Sequence, residues 1–177
     1  MDPTLIFEKF MGLRRSVDAS IRENSFVFTE VESEIRLKPP KNIPLSMILN
    51  QILSLGFVPQ DECDIEDWKW GNLRHRKVLG RLEITRKIQT GPAFKFKTTT
   101  GWEGRVVVST ETAVNEPAPH AACVYYRKAH RKSFVTVDGA FTLDVTSNSN
   151  MTEVEIEVNH PHVQPSDLTQ LVTMLCQ

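Results

Sequence analysis

Two short segments near opposite ends of the chain alternate strictly between carboxylates and mostly apolar residues. One is Glu30-Val31-Glu32-Ser33-Glu34-Ile35-Arg36-Leu37, the other Thr152-Glu153-Val154-Glu155-Ile156-Glu157-Val158. In a strand, successive side chains point to opposite faces, so each segment stacks its glutamates on one face. Val154, Ile156 and Val158 mark the opposite face as buried. Neighbouring carboxylates on one face repel, so such a face either lies in water or holds a cation among its members. One such segment alone reads as an amphipathic edge strand with solvated acids. Two of them, with further amphipathic strands between, read as two walls of one site.

A chain of 177 residues is long enough for one domain with a real core, here 1–177. A formal net charge of −1 provides no global basic field, so a nucleic acid must be gripped by a local patch or at one end. Cys63, Cys123 and Cys176 are odd in number and widely spaced, which predicts a reducing compartment without disulfides or zinc. His160 and His162 flank Pro161, and His75, His120 and His130 are scattered; all five are expected at the surface. No signal-peptide pattern and no bilayer-length apolar run is found, so no membrane association is expected.

Leu5, Ile6, Phe10, Leu13, Val17 and Ile21 recur at helical spacing and predict a helix over 3–22, with Pro3 in its first turn. A first strand is expected over 26–37, ended by Pro39-Pro40. Pro44 then opens a helix from Leu45 to Leu55, stopped by Gly56. The acidic stretch Asp61–Asp67 reads as a loop or a short helical turn. Strands are expected at about 70–78, 81–89, 94–98, 102–111, 121–128, 131–137, 140–147 and 152–159. Val78-Leu79-Gly80 and Asp138-Gly139 are hairpin-turn signals, and 115–120 is a loop. A last helix is expected over 166–175, with Ser166 or Asp167 as its cap.

Nearly every expected strand has one charged and one apolar face. Arg74 and Arg76 share a face, as do Glu83, Thr85 and Lys87, then Glu103, Arg105, Ser109 and Glu111. Tyr125 falls with Arg127, Arg131 with Ser133, and Thr142 with Asp144 and Thr146. An ordinary filled barrel would turn these faces to water. The alternative is a closed barrel with the charged faces inward and the helices packed outside. Periodicity leaves both open. The second would hold carboxylates suited to a hard divalent cation and arginines and lysines suited to phosphate.

The constellation resembles the triphosphate tunnel metalloenzymes, and among them the metal-dependent RNA 5′-triphosphatases of fungi, protozoa and large DNA viruses. That family pairs an early Glu-x-Glu-x-Lys/Arg strand with a late Glu-x-Glu-x-Glu strand. These are similar to Glu32-Ser33-Glu34-Ile35-Arg36 and Glu153-Val154-Glu155-Ile156-Glu157. Leu73-Arg74 resembles the family's arginine strand, and Arg105 to Glu111 its strand with a basic residue followed six positions later by a glutamate. Arg127 to Phe134 resembles Arg-x-Lys-x-Arg-x-Ser-aromatic, and Asp144-Val145-Thr146 resembles the Asp-x-Thr strand. The resemblance covers roughly 28–158, in the family's order. It departs at Ala129, where the family has lysine, so that contact is either missing or supplied by Lys128 through a bulge. In the second basic strand Lys87 is preferred to Arg86, because it shares a face with Glu83 and Thr85. The short chain is similar to the compact viral or protozoan enzymes.

The resemblance implies a mainly β, α+β fold, in which eight antiparallel strands close into a tunnel with a charged lumen and helices outside. It implies removal of the γ-phosphate from triphosphate-ended nascent mRNA, the first step of cap formation, with hydrolysis of NTPs as well. Mg²⁺ or Mn²⁺ would be held by Glu32, Glu34, Glu155 and Glu157. Glu111 would orient the attacking water, Arg74, Lys87, Arg105, Arg127 and Arg131 would clamp phosphates, and Asp144 would complete the catalytic set. Arg36, Glu153, Thr146 and Ser133 would support it. It further implies an mRNA guanylyltransferase partner and a nuclear or viral transcription site, and leaves an oligomer open. Two other readings remain: a tunnel enzyme for tripolyphosphate or another small triphosphate, and a non-catalytic barrel that binds acidic ligands or a protein. The helix ahead of the first acidic strand favours the capping branch over the former, and the intact acids weigh against the latter.

Overall fold

The computed structural model describes residues 3–24 and 29–177. Eight strands close into one antiparallel barrel: β1 (Thr29–Lys38), β2 (Val58–Trp70), β3 (Leu73–Val78), β4 (Arg81–Lys97), β5 (Glu103–Ala113), β6 (Tyr125–Val135), β7 (Phe141–Ser147) and β8 (Thr152–Val158). Their order around the barrel is β1-β5-β4-β3-β2-β6-β7-β8, and β1 pairs with β8 to close it. Three helices, α1 (Pro3–Asn24), α2 (Leu45–Ser54) and α3 (Pro165–Leu175), complete the described residues. The part of the expected first strand over 26–28 lies outside the described residues.

Alternation decides which side of each strand meets the helices. Ile35 and Leu37 of β1, Val106 and Val108 of β5, Leu143 and Val145 of β7, and Val154, Ile156 and Val158 of β8 point outward into one apolar core. Ile6, Phe7, Phe10 and Met11 of α1 fill that core, with Leu168, Leu171, Val172 and Leu175 of α3. The buried stripe of α1 differs from the expected one: Phe7 and Met11 are inside, whereas Leu5 is exposed. Arg14, on the same stripe, is buried and donates to the Val158 carbonyl at the end of β8. Gly104 leaves room on β5 for the far end of the Phe96 ring, and Phe96 in turn meets Phe7 edge-on at 5.8 Å.

Several boundaries differ from expectation. The stretch 61–67 belongs to β2, a full wall of the barrel, and is not a loop. The expected strands 81–89 and 94–98 are one strand, β4, running through a bulge between Thr90 and Phe94 with Gly91 at φ 74°. The expected strands 121–128 and 131–137 are likewise a single β6. Gln164, rather than Ser166 or Asp167, caps α3; Asp167 sits three residues on and accepts from the Gln164 N–H at 3.2 Å. His75 is buried, its ring 5.2 Å from that of Trp70, and does not lie at the surface. The Leu79-Gly80 turn forms as expected, both residues having positive φ.

Candidate active site

The inward faces carry the charge. Glu32, Glu34 and Arg36 project from β1; Glu34 lies opposite Glu157 of β8, and Arg36 opposite Glu155. Arg36 donates to Glu34 at 2.7 Å and pairs with Glu155 at 3.2 Å. Lys87 of β4 bonds Glu32, lies 3.1 Å from Glu34 and 3.9 Å from Glu111. Arg74 of β3 bonds Glu111 of β5. Arg131 of β6 donates to Asp144 of β7 at 3.2 Å, and Ser133 donates to the same carboxylate at 2.5 Å. Thr146 is buried beside them, opposite Glu153 and Arg131. The expected site residues thus converge on one lumen; Arg105 stands at its mouth, exposed and donating to Gln89 at 3.0 Å.

The register settles two choices. Lys87 turns inward, whereas Arg86 turns outward to Glu116 and, at 2.7 Å, Asn72. Lys128 also turns outward, to Glu66 at 3.4 Å, so no bulge carries it into the lumen. Ala129 faces in and joins Cys63, Ile65 and Val78 in a small apolar cluster inside the barrel, separate from the core under the helices. This end of the lumen is plugged by apolar side chains where the family motif has a lysine.

Three lumen residues escaped sequence reading as site residues. Asp67 of β2 is fully buried and holds two arginines: Arg76 at 2.6 and 3.2 Å, Arg127 at 2.7 and 3.3 Å. Arg127 also lies 3.8 Å from Glu153. Burial opposes its ionisation, but hydrogen bonds and charge from Arg76 and Arg127 hold Asp67 well below the usual carboxylate range. Arg76 has the same partner, and Lys69 lies two residues further towards the mouth. The signal for Asp67 and Lys69 is the alternation Ile65-x-Asp67-x-Lys69, hidden by the acidic run before it, and that for Arg76 is the face it shares with Arg74.

The acids are short of positive charge. Burial, then the neighbouring Glu155, raises the Glu34 carboxyl to about 7, while Arg36 keeps Glu155 ionised against the cost of its own burial. Burial, then Glu32 and Glu155, likewise raises Glu157 to about 7. Burial also opposes ionisation of Glu111, but the hydrogen bond shared with Glu32 and the charge of Arg74 outweigh it. Among the described residues no three such side chains are gathered into a ready metal cage. The donors nevertheless fit a hard divalent cation: all are carboxylate oxygens, the Lys87 ammonium already lies among them, and Glu111 Oε2 is buried without a hydrogen-bond donor. Beside them a cavity of about 290 Å³ is lined by Arg36, Lys69, Arg74, Lys87 and Arg105, which suits a polyphosphate.

No protein-family model matches the chain, and no curated protein matches it by sequence. Solved structures match throughout the fold. The RNA triphosphatase Pct1 of S. pombe superposes with a TM-score of 0.60 over 99% of this chain and 85% of that one, at 13% identity. The RNA triphosphatase domain of a trifunctional mimivirus mRNA capping enzyme gives 0.55 over 93% and 96%, at 15% identity. The PH1012 protein of Pyrococcus horikoshii gives 0.52 over 81% and 89%, also at 15%. Eight closed antiparallel strands and this likeness together give the chain the tunnel fold of these RNA triphosphatases.

Proposed function

We propose that the protein is a metal-dependent polynucleotide 5′-triphosphatase that removes the γ-phosphate from triphosphate-ended RNA as the first step of cap formation. The observation that carries this reading is the lumen itself, where two facing glutamate rows adjoin a cavity ringed by arginines and lysines. Glu32, Glu34, Glu155 and Glu157 would hold Mg²⁺ or Mn²⁺, which when bound supplies Lewis-acid neutralisation of phosphoryl charge. Arg74, Lys87, Arg105, Arg127 and Arg131 bind and align the phosphates, and positioning is most of what phosphoryl transfer asks of a protein. Asp67 and Asp144 aim Arg127 and Arg131. Glu111, ionised and steadied by Arg74, orients the attacking water and receives its proton. Arg36, Glu153, Ser133 and Thr146 brace these groups.

The products would be a 5′-diphosphate RNA end and phosphate. The next enzyme would be an mRNA guanylyltransferase, in a nucleus or viral transcription site. Pct1 of S. pombe has been solved in complex with the Spt5 CTD, which supports a protein partner for this chain too. Phosphate release from γ-labelled triphosphate RNA, with and without divalent metal, tests the proposal. Release without metal, or none with any metal, overturns it. Turnover of tripolyphosphate in preference to RNA would assign the lumen to a small triphosphate instead.

A further inference from the structure

We infer that Lys69, on the lip of the cavity, and Tyr125, beside it at the start of β6, form the subsite for the nucleotide end of the substrate, the ammonium binding the α-phosphate and the phenol ring stacking on the first base. This rests on the reading that a nucleotide triphosphate is the substrate.

Charge accounting leads to Lys69. Six inward cations each have a carboxylate: Arg36 has Glu34, Arg74 has Glu111, Arg76 and Arg127 have Asp67, Lys87 has Glu32, and Arg131 has Asp144. Among the described residues Lys69 has none within salt-bridge distance. Burial, then the charges of Arg36 and Arg74, lower its pKa to about 8, and the more distant Asp67 offsets them only in part. An anion is what such a site lacks. Position agrees. Lys69 lies opposite Arg74 on one side and Tyr125 on the other, next to the β2–β3 turn that rims the cavity. Arg105, another lip cation without a carboxylate, stands across the same cavity. Deeper in, Ala129 belongs to an apolar plug with Cys63, Ile65 and Val78, so the phosphate charge must be met nearer the mouth.

Tyr125 supplies the second half. The Lys69 ammonium sits over its ring at 5.3 Å, and Tyr125 remains 40% exposed at the first residue of β6. By contrast, the Tyr126 ring is committed to Trp68 at 5.6 Å on the outer face. A flat ring beside a phosphate-binding cation at a tunnel mouth accepts any base, because every base has a π-face.

The test is steady-state kinetics on the full chain with divalent metal, using a 5′-triphosphate oligonucleotide and tripolyphosphate, after thermal melts confirm folding. Lys69→Ala should raise KM for both substrates about tenfold or more, with a smaller change in kcat, and Lys69→Arg should recover part of it. Tyr125→Ala should lower the ratio of nucleotide to tripolyphosphate kcat/KM about tenfold, and Tyr125→Phe should keep it. Unchanged KM in Lys69→Ala, or an unchanged ratio in Tyr125→Ala, overturns the corresponding half. If the unaltered protein turns over neither substrate, the proposed function fails by itself. The Lys69 half is then read by calorimetric titration of tripolyphosphate, where weaker binding to Lys69→Ala supports it and equal binding overturns it.

Discussion

Replacing Asp67 should cost more stability than replacing any single glutamate of the acidic strands. Asp67 is fully buried and takes four N–H···O contacts from two guanidinium groups, at 2.6, 3.2, 2.7 and 3.3 Å. Asp67→Ala leaves Arg76 without a carboxylate and Arg127 with only Glu153 at 3.8 Å. Breaking a buried pair by removing one partner costs about 3–5 kcal/mol, and the lumen is open enough to rehydrate the arginines in part, so about 3 kcal/mol is expected. For a chain of this size that lowers Tm by roughly 6–12 °C, measurable by thermal or urea unfolding. Asp67→Asn keeps one acceptor and should lose about half as much. The sign with pH follows from the depressed pKa: the stability from Asp67 is complete above its ordinary value of 3.8 and is lost as pH falls below it. The gap between the two proteins should therefore narrow in acid. A loss under about 1 kcal/mol for Asp67→Ala would refute the view that this carboxylate organises the β2–β3–β6 wall.

Alanine at Glu32, Glu34 or Glu157 should abolish metal-dependent hydrolysis while the melt stays cooperative; near-normal turnover in any of them would remove that residue from the metal site. Glu34 and Glu157 are both raised to about 7, so calorimetric metal affinity should fall as pH drops through that value, and a flat profile from pH 8 to 6 would argue against their role as ligands. Glu111→Gln should still bind metal and tripolyphosphate but lose about 10²–10⁴ in kcat, whereas retained turnover would exclude water orientation. Arg131→Lys should lose about tenfold in kcat/KM and Arg131→Ala about 10²–10³, since an ammonium cannot reproduce the guanidinium fork; full activity of the alanine variant would place Arg131 outside the reaction. Gly104→Ala should lower stability by about 1–3 kcal/mol, because a Cβ there would lie 2.1 Å from the Phe96 ring, and Phe96→Ala in the same chain should relieve part of that loss.

The acidic strands could be read from sequence because their two faces differ most: ions inside, Ile and Val outside under the helices. The same rule explains why β2 was missed. Helices cover the outer faces of β1, β4, β5, β7 and β8, whereas those of β2 and of β6 short of Phe134 meet water. There Glu62, Asp64 and Glu66 carry the charge, and the inward Cys63 and Ile65 are apolar. Charge is therefore outside at this end and inside at the Asp67–Lys69 end, and a strand that changes sense midway has no single amphipathic signature. Asp67 and Lys69 were lost with it. Gly91-Pro92 falls in the gap between the expected strands 81–89 and 94–98, and a bulge and a turn use the same residues; the pairing of Phe94 with Val106 shows that β4 continues. His75 reads as a surface polar residue until Trp70 folds over it.

The seam between β1 and β8 has a consequence for how activity is acquired. Glu34 meets Glu157, and Ile35 meets Ile156, from nearly opposite ends of the chain. Contacts so distant in sequence are the slowest to form. During synthesis every other wall can pair as it emerges, but the two glutamate rows remain apart until β8 has left the ribosome and zipped onto β1. Assembly of the proposed cation site is therefore a single late event, and a chain truncated before β8 would hold most of its hydrogen-bonded sheet and Glu32 and Glu34, but neither Glu155 nor Glu157.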